Sequence, residues 1–189
     1  MITIEQTCNH DNFFVLTGGP GVGKTTLLGE LEKKKFKCVP EVAREIIKEQ
    51  MKIEGEALPW KNKELFKQLM HERSIDDYKR INDNNNEIIF FDRGILDTLS
   101  YTRLINSNIT EEMNSDAKYY RYNKKVFILP PWVEIYKTDS ERKQSWEEAV
   151  QTYEMIINTY KEYNYEILEV PKTSIVNRVD FILKNIKSV

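Results

Sequence analysis

The residues best able to do chemistry crowd into one run, Phe13 to Leu28, FFVLTGGPGVGKTTLL. Gly18, four further residues, then Gly23-Lys24-Thr25 make the G-x-x-x-x-G-K-[ST] pattern of a Walker A phosphate loop. Four of the chain's seven glycines fall between positions 18 and 23. Glycine lets the backbone adopt positive φ and bring its N–H groups up to a polyphosphate at a helix N-terminus. The predicted nucleotide-binding set is therefore Gly18, Gly19, Pro20, Gly21, Val22, Gly23, Lys24, Thr25 and Thr26. Lys24 is expected to reach the β- and γ-phosphates and the Thr25 hydroxyl to ligate Mg²⁺.

Asp92 ends the apolar run Ile88 to Phe91. That is the place for a Walker B carboxylate, which holds Mg²⁺ through water or accepts a proton from a phosphoryl acceptor. A strand-ending aspartate also serves simply as a turn residue. Arg93 follows it, where a larger motor ATPase usually places a second acid to activate water. The substitution points to phosphoryl transfer to something other than water, with the arginine neutralising charge in the transition state; a structural salt bridge is its other reading. A switch GTPase is not indicated. Asn62-Lys63 is followed by Glu64-Leu65, Asn123-Lys124 precedes its strand, and Asp92 runs into Arg93-Gly94-Ile95, so N-K-x-D and D-x-x-G are both missing.

These groups need elements to hold them. Phe13 to Thr17 suits a buried parallel strand, and Leu27, Leu28 and Leu31 have helical spacing, so the phosphate loop sits where strand turns into helix. A brief strand, Phe36 to Val39, runs into Pro40, and a helix follows from Glu41 to near Gly55 and Pro59. The spacing predicts a longer helix over 61–82, with Leu65, Phe66, Leu69, Met70 and Arg73 on one face. After the Ile88 strand come helices over 96–105 and around 111–121, then a strand, Lys125 to Leu129, stopped by Pro130-Pro131. Thr138 to Glu141, TDSE, reads as a capping box. It would open a helix whose stripe of Trp146, Ala149, Val150, Tyr153, Ile156, Ile157 and Tyr160 is core. A strand, Tyr165 to Val170, and an amphipathic helix with Ile175, Val179, Ile182, Leu183 and Ile186 close the chain. Strands alternating with helices predict one α/β sandwich with a parallel sheet covered on both faces.

A chain of 189 residues suits one domain, 1–189, with residues 1–12 as a loose lead-in or short edge element. A 40% hydrophobic content, 31% charged residues and a net charge of -2 fit a soluble protein and give no support to a nucleic-acid partner. Cys8 and Cys38 lack C-x-x-C spacing and a nearby histidine cluster, so neither a disulfide framework nor a zinc site is suggested. No apolar run approaches the length of a membrane span, and the N-terminal residues lack a signal-peptide core, so the expected location is the cytoplasm. Nothing in the sequence sets an oligomeric state.

The segments PEVAREII, FFDRGILDTLSY, VFILPPWVEIYKTDSERKQSWEEA and YEILEVPKTSIVNRVDFIL, together with the phosphate loop, resemble the small AAA-domain ATPase/kinase family. That family includes the ribosylnicotinamide-kinase domain of the bacterial NAD regulator, and the similarity runs from about Phe13 to Leu183. More broadly the chain is similar to nucleoside and nucleotide monophosphate kinases. The resemblance implies a three-layer P-loop NTPase sandwich with a five-stranded parallel sheet in the order 2-3-1-4-5. It also implies a helical lid at about 131–145, ATP in preference to GTP, Mg²⁺, and a small-molecule phosphoryl acceptor.

Glu41 stands where the resembling kinases place an acid facing the acceptor hydroxyl. It is either a general base or a carboxylate that merely suits a helix N-terminus. Arg44, one turn on, would pair with Glu41 or touch the acceptor. Asp97 with Thr98 reads as helix capping, with the DRG-x-x-D arrangement leaving a metal or acceptor role open. Arg73 reads as a salt-bridge residue. The lid region carries Lys137, Arg142 and Lys143. Arg142 and Lys143 would fall in a helix's first turn, against the macrodipole, a local conflict of the kind that marks functional positions. Arg142 is accordingly the candidate lid arginine, and a solvated charge run offset by Asp139 and Glu141 is the alternative. Trp132 is either a hinge anchor or a packing residue. Two functions follow: a small-molecule kinase, or a nucleotide-dependent binding protein with a protein or lipid partner.

Overall fold

The computed structural model describes residues 7–81, 87–135 and 145–186. Its parallel sheet has five strands, β1 (Phe13–Gly18), β2 (Lys37–Val39), β3 (Ile89–Asp92), β4 (Lys125–Leu129) and β5 (Glu166–Glu169). They lie side by side as β2-β3-β1-β4-β5, the expected 2-3-1-4-5 order. The register places Leu16 opposite Asp92 and Gly18 opposite Leu129, so the strands beside β1 end level with the phosphate loop.

A strand buried on both faces reads as a near-continuous apolar run, and β1 is apolar from Phe13 to Leu16. Phe13 and Val15 enter one layer with Phe91, Val126 and Ile128, covered by α3 (Lys63–Arg80), α4 (Ile95–Leu104), α5 (Glu111–Tyr119) and α6 (Trp146–Glu162). Phe14 and Leu16 enter the other with Phe90, Phe127 and Leu129, covered by α1 (Lys24–Lys33) and α7 (Ile175–Ile186). Each buried phenylalanine contributes about 1.5–3 kcal/mol, which fixes the rigid sheet from which the site is hung. A third cluster, Ile46, Ile47, Leu58, Phe66 and Met70, joins α2 (Val42–Lys52) to α3.

Some local expectations shift. Leu65 is 37% exposed while Phe66 and Met70 are buried, so the α3 face is rotated from the predicted one. The helix carrying the Trp146 stripe opens at Ser145, not at Thr138–Glu141, which lies outside the described residues. Ser145 Oγ accepts the Glu148 N–H at 3.2 Å, and the Glu148 carboxylate accepts the Ser145 N–H at 2.7 Å. Within residues 7–12 a short strand, Cys8–Asn9, pairs in parallel with Tyr120–Arg121, and Phe13 stacks on His10. Arg73 does make its salt bridge, to Glu49 of α2 at 2.6 Å. Among the described residues no helix is long and apolar enough to cross a membrane.

Candidate active site

The carboxyl ends of parallel strands are where doubly wound sheets bind ligands, and here they open on a cavity of about 1070 Å³. Pro20 to Thr26 line it together with Glu41, Arg44, Arg93 and Asp97. The phosphate loop takes positive φ at Gly18 (140°), Gly21 (74°) and Gly23 (85°). At Gly18 the sheet itself demands glycine, because a Cβ would come within 2.5 Å of the Leu129 carbonyl oxygen. Gly23 is the left-handed residue from which α1 starts, so Lys24 is its first helical residue and Thr25 follows on the exposed side.

Lys24 is 6% exposed, and its Nζ lies 3.8 Å from Oδ1 of Asp92 at the end of β3. Burial, with Arg93 nearby, pulls the Lys24 pKa down, against the pull of Asp92, Glu41 and Asp97. Burial likewise lifts Asp92 to about 6, with Lys24 and Arg93 opposing. Asp92 Oδ1 is buried and has no hydrogen-bond partner; at 3.8 Å the lysine is an ion-pair neighbour and not a donor. The Thr25 hydroxyl in the first turn of α1 and an unpartnered carboxylate oxygen on Asp92 are the sparse oxygen donors that suit Mg²⁺, an ion that keeps several waters and uses few protein ligands.

Arg93 carries the rest of the charge. Its backbone is left-handed, φ 73°, and its N–H donates to the Leu16 carbonyl at 2.9 Å. Its side chain donates from Nε to Glu41 at 2.7 Å and from Nη1 to Asp97 at 2.9 Å. Burial would lower the arginine's pKa, but Glu41, Asp97 and Asp92 together hold it above its usual value. Glu41 shows the mirror image. Burial would raise it, yet Arg93 and Lys24 bring it down to about 2. Arg44 Nε lies 3.9 Å from the same carboxylate. Asp97 is saturated: Thr17 Oγ1, Arg93, the Gly94 N–H and the Tyr160 hydroxyl all donate to it. Its capping role is therefore real, and the same carboxylate ties the end of β1 to α4 and α6.

Residues 13–178 match the family model described as an AAA domain. The chain belongs to the AAA domain family. No curated protein matches it in sequence. Among solved structures this AAA domain resembles the NadR protein in complex with NR, with TM-score 0.72 and 18% identity over 95% of this chain and 53% of that one. The chain thus spans about half the length of that protein. It also resembles deoxyadenosine kinase from M. mycoides, TM-score 0.65 and 16% identity over 94% of this chain and 100% of the other. Thymidylate kinase from Candida albicans gives 0.64 and 17%, with coverages of 93% and 91%. At such identities the likeness is one of fold.

Of the residues predicted for the site of this AAA domain, Lys24, Glu41, Asp92 and Arg93 come together, and Thr25 stands next to Lys24 in the first turn of α1. Arg142, with Lys137 and Lys143, lies outside the described residues. Sequence reasoning missed two residues. Tyr101 of α4 lines the cavity, stands edge-on to Phe66 with ring centroids 5.5 Å apart, and has a buried hydroxyl with no partner. Arg178 of α7 lines it too and donates to the Val22 carbonyl. An arginine in an otherwise apolar helical stripe beside Val179 and Ile182 was the available signal for the second. Helix α6, predicted as core alone, also lends Glu148, Gln151, Thr152 and Ile156 to the cavity wall.

Proposed function

We propose that the protein is a phosphotransferase, one nucleotide-binding domain that passes the γ-phosphoryl group of Mg·ATP to a hydroxyl of a small nucleoside- or nucleotide-like acceptor in the cytoplasm. The Arg93–Glu41 ion pair beside Asp92 carries this reading. Where a water-activating acid would stand, the chain has an arginine held by two carboxylates, and the carboxylate facing the cavity comes from the start of α2. The kinase fold shared with the neighbours supports it.

In this reading the loop N–H groups and Lys24 hold the β- and γ-phosphates. Thr25 and Asp92 would hold Mg²⁺, which neutralises charge developing between donor and leaving group. Glu41 accepts a hydrogen bond from the acceptor hydroxyl and orients its oxygen in line with the γ-phosphorus. The P–O bond to ADP breaks, the bond to the acceptor oxygen forms, and the hydroxyl proton leaves by way of Glu41. Arg93 keeps Glu41 in place and Arg44 faces the acceptor's anionic or polar groups. Ile47, Phe66, Met70 and Tyr101 supply an apolar and aromatic chamber for a ring-bearing acceptor that excludes water.

The test is ADP release from Mg·ATP, screened across nucleosides, ribosyl-pyridines and nucleoside monophosphates. One acceptor class should stimulate release strongly, and Lys24→Ala and Asp92→Ala proteins that still fold should lose at least about 10²-fold of that rate. If no acceptor raises a slow basal rate while nucleotide alters binding of a protein or lipid partner, the kinase reading is wrong and the nucleotide-dependent binding protein takes its place.

A further inference from the structure

Arg178 is 5% exposed, on the first turn of the last helix, yet it reaches the phosphate loop across the whole sequence. Its Nη2 donates to the Val22 carbonyl at 3.0 Å. A Cβ on Gly23 would stand 3.1 Å from its Nη1. The guanidinium lies 5.7 Å from the centroid of the Trp132 ring. Its Nε is buried and has no hydrogen-bond partner.

Arg93, by contrast, is charge-balanced by Glu41 and Asp97. Among the described residues Arg178 has no carboxylate, and burial, unopposed, holds its guanidinium below the usual pKa. A buried cation without a counter-charge is costly. Such a cost persists where a ligand supplies the missing charge, and Arg178 shares its cavity with Gly21 to Thr26.

We propose that Arg178 belongs to the donor site: its buried charge is neutralised by the polyphosphate held in the Gly18–Thr26 loop, not by a carboxylate of the protein. This rests on the reading of that loop as the donor site. The competing role is a brace, in which the hydrogen bond to Val22 matters and the charge does not.

Titration calorimetry of Mg·ATP and of Mg·tripolyphosphate separates these roles. Arg178→Gln and Arg178→Met both remove the charge and the reach to the Val22 carbonyl, a glutamine amide ending near the position of Nε, so the ligand-free melting temperature reports the brace and the ligand affinity reports the charge. Both variants should bind both ligands at least about tenfold more weakly than wild type, and their ligand-free melting temperatures should not fall. A Gln variant that binds tripolyphosphate within about threefold of wild type overturns the proposal. So does a loss confined to ATP, which would place the effect on the nucleoside and not on the phosphates. If neither variant folds, Arg178 is a structural brace and the proposal falls. If wild type itself binds neither ligand, the donor-site reading fails, a result distinct from any of these.

Discussion

Asp92 and Glu41 sit in one buried charge cluster and are displaced in opposite directions. Burial takes Asp92 up to about 6. Glu41 goes down to about 2 because Arg93 and Lys24 outweigh its burial. Glu41 therefore stays ionised near neutral pH, as its proposed role of hydrogen-bond acceptor for a hydroxyl requires, and Asp92 is the group that titrates. The pH profile of kcat/KM should accordingly fall about tenfold per unit below pH 6. Glu41→Gln should lower the plateau about 10²- to 10⁴-fold and leave the acid limb where it is; an acid limb that moves with Glu41 would reverse the two assignments. Stability follows by linkage. The Asp92 contribution is full below its ordinary value of 3.8 and is lost as pH rises through about 6. The Glu41 contribution is full above 4.5 and is lost as pH falls through about 2. Urea denaturation of wild type and Asp92→Asn should show a stability difference that changes between about pH 4 and 6 and is flat above about 7.

At the scale of elements, the junction β1–loop–α1 is held by the sheet. Gly18 has φ 140° and its Cα faces the Leu129 carbonyl of β4 at a distance that leaves no room for a methyl group. Gly29, in the middle of α1, has open space where a Cβ would go. Gly18→Ala should therefore destabilise by about 2–5 kcal/mol, summing backbone strain and overpacking. Gly29→Ala should stabilise by about 0.5–1 kcal/mol. Denaturant unfolding of the two variants reads both signs, and equal effects would mean that the close β1–β4 approach is not what fixes Gly18. Helix α4 is positioned the same way. Asp97 in its first turn gathers donors from β1, from Arg93 in the loop after β3 and from α6, so that loop cannot move without disturbing Arg93 and, through it, Glu41.

For the whole molecule, the cavity exists because strand ends and helices from both layers meet at one edge of the sheet. A ligand that binds only this assembled edge stabilises the folded state. At a concentration of a hundred times Kd, Mg·ATP should add about 2.7 kcal/mol, or roughly 5–11 °C in Tm for a chain of this size. Lys24→Ala should abolish the shift. A wild-type melting curve that Mg·ATP leaves unmoved at millimolar concentration would remove the donor site, and the kinase reading with it.

The sequence by itself determined the local parts. Residue type and short spacing set the phosphate loop, the strand-ending Asp92, the alternation of strands and helices, and an arginine in place of a water-activating acid. Each of these is a property of a few neighbouring residues, because glycine conformation, apolar runs and helical period act over short distances. Family likeness supplied the strand order, and the sheet has that order. Tertiary structure alone decided the partnerships. Glu41 and Arg93 are 52 residues apart, Thr17 and Asp97 are 80 apart, and Val22 and Arg178 are 156 apart. No local pattern encodes which carboxylate meets which cation, nor which buried charge is left without one. Those choices follow from the crossover order of the sheet, which brings β2, β3, α4 and α7 to the same edge as the loop after β1.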